Sequence, residues 1–276
     1  MIRLFRIEFK KILAYKTFWI ITGLYFLFLV LGIIMAQYIL NNIVNDINKH
    51  SPIPLPHVTL YFFPEVWQNV TFFASIRYVL IFPAIIILIL VTNEFTNKTI
   101  RQNITTGMSK QEFLISKLQF IFLLSLIITI VLTVFIICLG ISNSDEQQMK
   151  LMWHGIVFIP VFFLQVTVFM IFAFFCGFLM RNTGLAIAIF TLYSLIIEPV
   201  VYFILKIPYL QPNQVSQYLP VNAVIRLVEY PSISMLHKVM NLTLQEGVNM
   251  VHCIVAIIYA VMLVGIVFWV MKRKDL

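Results

Sequence analysis

Six long apolar runs, at residues 17–40, 71–92, 117–141, 155–180, 185–207 and 249–271, leave this chain very few ways to fold. Each is near or above the roughly 20 residues that an α-helix needs to cross about 30 Å of hydrocarbon. In that solvent every backbone N–H and C=O must find its partner inside the protein, which a helix achieves within one segment. Composition agrees: 61% of the 276 residues are hydrophobic and 11% charged, with a mean hydropathy of +0.98. A soluble domain is about half apolar and a quarter charged. The expected fold class is therefore all-α integral membrane, with six transmembrane helices forming a single domain over 1–276. The first run is too long for a secretory signal and has no small-residue cleavage site, so it is expected to stay in the mature protein.

Orientation follows from where the cations lie. Thirteen Lys and Arg residues fall on one side of the runs, within 3–16, 98–117, 272–274 and at Arg181, against six on the other, Lys49, Arg77, Lys150, Lys206, Arg226 and Lys238. The positive-inside rule makes the richer side cytoplasmic and places both termini there. A net charge of +8 distributed in this way points to the membrane surface and not to nucleic acid. Trp19, Trp67, Trp153 and Trp269 all lie near predicted span ends, as an interfacial aromatic belt would place them. Residues 2–16 put Ile2, Phe5, Phe9, Ile12 and Leu13 on one helical face and Arg3, Arg6 and Lys10 on another, which predicts an interfacial amphipathic helix over 1–16.

The outer connections are 41–70, 142–150 and 208–248. The first begins polar, passes through the proline-rich SPIPLP at 51–56, and becomes aromatic at Tyr61, Phe62, Phe63 and Trp67, which predicts a segment folded back on the membrane surface. Short extracellular helices are expected before spans two and six. Only Arg181-Asn182-Thr183-Gly184 separates spans four and five, so a tight turn is expected there. Cys138, Cys176 and Cys253 lie inside apolar runs and are read as small hydrophobes, with no disulfide and no metal site. His50, His57, His154, His237 and His252 are read as interfacial.

The most informative loop is the cytoplasmic link NEFTNKTIRQNITTGMSKQEFLISK at 93–117. Ser109 and Glu112 form an S-x-x-E capping box before Phe113-Leu114-Ile115, which predicts a helix starting at Ser109 and running into span three. Gly107 breaks what precedes it. Phe95 through Ile104 is expected to form a short helix across the mouth of the membrane domain, with Lys98 and Arg101 on its solvated side.

With these residues the chain resembles the permease subunits of type-2 ATP-binding-cassette (ABC) transporters. The matching positions are Glu94 at the end of span two, Thr99, Gly107 and Ser109-Lys110 in the turn, Lys117 opening span three, and the basic ending Lys272-Arg273-Lys274-Asp275-Leu276. Lys98 and Lys110 depart from the glycine and arginine common there. The resemblance implies an export permease half in the cell membrane, with 93–117 as a coupling helix on which separate ABC ATPase subunits dock through Glu94, Phe95, Lys98, Thr99, Arg101, Gly107, Ser109 and Lys110. It implies a second permease chain, identical or related, in a dimer. ATP and Mg would be bound by the ATPase, since this chain has no G-x-x-x-x-G-K-[ST] loop. No catalytic constellation is visible, so the chain is not expected to be an enzyme.

Within the spans Glu198 stands out, in LIIEPVV of span five, because an acid at membrane depth is costly. Arg77 is expected at a similar depth, about six residues into span two, where the two could pair. Pro199 predicts a kink. Glu198 is open to two readings, a structural ion pair or a gate. Ser125, Thr129 and Thr133 share one face of span three and suit either helix–helix hydrogen bonding or a pathway lining. The alternative functional reading is an ion-coupled secondary transporter that uses Glu198, although neither the internal repeats nor the midplane charge usual in such folds is visible. A membrane anchor without transport is a third. The cargo is left open.

Overall fold

The computed structural model describes residues 15–50, 59–97, 99, 107, 109–206, 214–228, 248 and 250–273, with the side chains of 47, 50, 214 and 215 excepted. The helices are α1 (Lys16–His50), α2 (Glu65–Ser75), α3 (Arg77–Thr96), α4 (Lys110–Asn143), α5 (Glu146–Met149), α6 (Phe158–Met180), α7 (Thr183–Lys206), α8 (Pro220–Ile225) and α9 (Met250–Arg273). No strand occurs among the described residues. Six helices, α1, α3, α4, α6, α7 and α9, are long and apolar enough to cross a membrane. The chain has the architecture of a multi-pass membrane protein. The expected interfacial helix lies outside the described residues except for its last two positions.

Two boundaries differ from those the hydropathy predicts. Helix α1 continues through the polar run Asn41 to His50. No glycine or proline interrupts residues 33–51, and Leu40 and Val44 extend the buried stripe of Ile33 by a helical repeat. At about 1.5 Å per residue its 35 residues reach about 52 Å, so the helix projects past any bilayer core. Span two begins at Arg77 and not at residue 71. Residues 71–75 belong to α2, and Ile76, with extended backbone (ψ 134°), separates the two helices. At the end of α2 the Thr71 and Ser75 hydroxyls donate back to the carbonyls of Trp67 and Thr71, a pattern that competes with straight helix. Ser75 also reaches Gln165 of α6 at 2.8 Å. Arg77 is therefore the first residue of its span and not six residues into it.

Helices α3 and α6 form the centre of the bundle. In each, 61% of the most apolar window is buried, against 17–22% in α1, α7 and α9, which present apolar side chains outward. Helix α6 packs against α2, α3, α4, α7, α8 and α9. The aromatic segment expected on the membrane surface instead plugs one end of the bundle: Tyr61, Phe63 and Trp67 are buried, and the Tyr61 hydroxyl donates to the Ile33 carbonyl. Trp67 thus leaves the interfacial belt, while Trp19, Trp153 and Trp269 are exposed. Its indole N–H donates to the Met152 carbonyl at 2.7 Å, and its ring lies against Gly155, where an added Cβ would stand 2.6 Å from it. Gly155→Ala is expected to destabilise the protein by about 1–3 kcal/mol through overpacking, read as a lower thermal midpoint in detergent.

The turn between α6 and α7 is as short as expected. Arg181 takes the left-handed conformation (φ 54°), and the Asn182 side chain caps α7 by accepting from the Leu185 N–H.

Candidate functional site

The root of the 93–117 link ties four spans together. Thr92 and Thr183 share a hydroxyl–hydroxyl bond of 2.8 Å between α3 and α7. Phe95 packs edge-on to Phe178 of α6, and the Arg181 guanidinium lies 5.2 Å from the Phe95 ring centre. Lys117, two turns into α4, donates to Glu94 at the end of α3 at 2.5 Å. Both side chains are buried, 1% and 3% exposed. A charge taken out of water needs a close opposite charge, and each supplies the other's. The pair ties together the two ends of the link.

Beyond this root the link is described at Thr99, Gly107 and from Ser109 onward. The Thr99 hydroxyl donates to the Glu94 carbonyl, Gly107 has a φ of +102° that only glycine adopts without strain, and both are consistent with a chain that turns. Ser109 caps α4 in a reciprocal box: its hydroxyl accepts from the Glu112 N–H, and the Glu112 carboxylate accepts from the Ser109 N–H at 2.8 Å. Lys110 begins the helix, half-buried. Lys98 and Arg101 lie outside the described residues, as does most of the short helix expected around them.

A second polar cluster sits at the opposite end of α3. Pro199 has no N–H, so a carbonyl one turn earlier loses its donor. The chain answers with a π-helical turn over Tyr193–Ile197, in which the Glu198 N–H reaches the Tyr193 carbonyl. The Ser194 carbonyl is then taken by Arg77 Nη1 at 2.5 Å. Arg77 Nη2 donates to Asn222 Oδ1 at 2.6 Å. Glu198, 1% exposed, accepts from the backbone N–H groups of Val221 and Asn222 at the start of α8. Arg77 and Glu198 therefore meet through Asn222, which bonds one with its side chain and the other with its backbone, and not by direct pairing. Asn222 was not singled out from the sequence; the signal available was its place just after Pro220, where helix-start N–H groups are unpartnered.

Ser125, Thr129 and Thr133 are placed apart from both clusters. Each donates to a carbonyl of its own helix, and Ser125 also accepts from Thr167 of α6 at 2.8 Å. Among the described contacts of the three, Ser125 is the one that reaches another helix. His252, near the start of its span, is buried and stacked on Tyr218. No protein-family model and no curated protein matches the chain.

Proposed function

We propose that this chain is the permease half of an ATP-binding-cassette exporter in the cell membrane, with both termini in the cytoplasm. A second permease chain completes the pathway, and separate ATPase subunits, which bind the ATP and Mg, dock beneath the 93–117 link. The observation that carries this reading is the buried Glu94–Lys117 pair, which roots the link in spans two and three. A loop that only joined two spans would need no such anchor; a lever that passes force from a motor to the helices does. The Thr92–Thr183 bond and the Phe95–Phe178 contact extend the anchorage to spans four and five. The capping box at Ser109 supports it further, because it gives the far end of the link a fixed helix to push on.

The ion-coupled alternative rests on Glu198, whose two carboxylate oxygens are each occupied by a backbone N–H. That is poor preparation for binding and releasing a cation, and no observation favours this reading over the first.

Charge reversal at Lys98 and Arg101 tests the docking face. K98E/R101E is expected to keep the membrane yield of the wild type while losing co-purification of a Walker-A-containing ATPase and ATP-dependent export. Unchanged co-purification and export overturn the assignment.

A further inference from the structure

Between the first turn of α3, the outer part of α7, α8 and the first turn of α9 lies a cavity of about 580 Å³, within the range of small-molecule sites. Its polar lining includes Arg77, Tyr202, Asn222, Arg226 and His252. The two arginines differ. Arg77 lies beside the buried Glu198 through their shared partner Asn222, so its charge is offset. Among the described residues, the Arg226 side chain bonds the Tyr202 hydroxyl at 2.7 Å and lies against that ring, and no carboxylate pairs with it. Among the described residues, Arg226 is thus the cation of this cavity with no carboxylate beside it.

Buried in its wall are polar atoms with no partner among the described residues. His252 is 4% exposed, and neither ring nitrogen has a hydrogen-bond partner among the described residues; the buried Asn222 Nδ2 has none there either, leaving both its N–H donors unmet. Buried polar groups left unpaired cost free energy, and a wall bearing two of them beside that guanidinium is arranged for something that accepts hydrogen bonds and carries negative charge.

The depth of the cavity adds a second requirement. Arg77 is the first residue of its span and His252 the third of its own, so the polar groups stand at headgroup level. The rim below them is apolar and open, with Tyr78 61% and Phe203 67% exposed on the flanks of two spans. A molecule seated there has its head among donors and its tail against lipid-facing side chains.

We infer that this cavity binds a monoanionic amphiphile, a phosphodiester or similar headgroup held by Arg226, His252 and the Asn222 side chain, with its acyl chain leaving past Phe203 into the leaflet. The inference does not depend on the transport reading, because binding to the isolated chain is what it concerns.

The full chain, purified in a neutral detergent and offered phosphatidylglycerol or phosphatidylcholine, is expected to retain one phosphatidylglycerol in native mass spectrometry and no phosphatidylcholine at equal concentration. R226Q is expected to lower that affinity about tenfold or more, the usual consequence of losing a charge-assisted hydrogen bond, and R226K to restore most of it. H252A is expected to weaken retention, at some cost in thermal midpoint from the lost stacking on Tyr218, and it carries the test if R226Q does not reach the membrane. Millimolar inorganic phosphate is expected not to displace the lipid. Equal retention of the two lipids, or wild-type retention by both R226Q and H252A, overturns the site. Full displacement by inorganic phosphate overturns the amphiphile and leaves a free-anion site.

Discussion

Removing either member of the buried Glu94–Lys117 pair is expected to destabilise the protein by about 3–5 kcal/mol, because a buried charge loses a close opposite one. E94Q and K117M should each lower the thermal midpoint in detergent by on the order of 10 °C, taking about 2–4 °C per kcal/mol for a chain of this size. The double variant E94Q/K117M removes both charges of the pair and is expected to recover more than half of the loss, since a buried ion pair replaced as a unit is often close to neutral. Such a stable double variant separates folding from function. On the permease reading it still exports poorly, because the link has lost its electrostatic root. Single variants within 2 °C of the wild type would show that water reaches the pair and that the anchor is weak.

That pair also shows how far the sequence could be read. Glu94 and Lys117 were each visible as charges at the edge of an apolar run, and the capping box at Ser109 was legible to the residue, because it depends on local spacing alone. Six spans were legible for a similar reason: hydropathy over twenty residues is a local sum. What escaped was every feature decided by tertiary contact. Trp67 looks like an interfacial anchor until Gly155 and the Met152 carbonyl receive it. Helix α2 looks like the start of span two because residues 71–75 are apolar enough; only the break at Ile76 separates them. Arg77 and Glu198 were paired by counting depth along straight helices, which cannot register a π-helical turn or a short helix arriving from 220 to lie between them. The residues most missed, Asn222, Arg226 and His252, come from the connection before span six and the first turn of that span, where no periodicity announces which element they will face.

Glu198 is the position where the competing readings diverge most, and the expected result is structural. Its two oxygens accept from two parallel backbone donors, Val221 and Asn222 N–H, and its charge balances Arg77 across Asn222. In E198Q one oxygen becomes an N–H₂ group facing an N–H, so one bond is lost, two donors oppose each other, and the guanidinium loses its neighbouring charge. A cost of about 2–4 kcal/mol follows from losing a charge-assisted bond and leaving a buried donor unmet. Because those donors belong to α8, the damage should be local: trypsin is expected to cut after Arg226 faster in E198Q than in the wild type, and the thermal midpoint should fall. E198D is expected to behave similarly, since its carboxylate is shorter by one methylene and cannot reach both N–H groups without moving α8. The ion-coupled reading predicts the reverse, a protein of unchanged stability and unchanged trypsin pattern that has lost gradient-driven uptake. Both proteins reach the same assay from the same membrane preparation, so a stable, protease-resistant E198Q without uptake would assign Glu198 to cation binding. A destabilised one with α8 exposed would make it the latch that holds the connection before span six against span five.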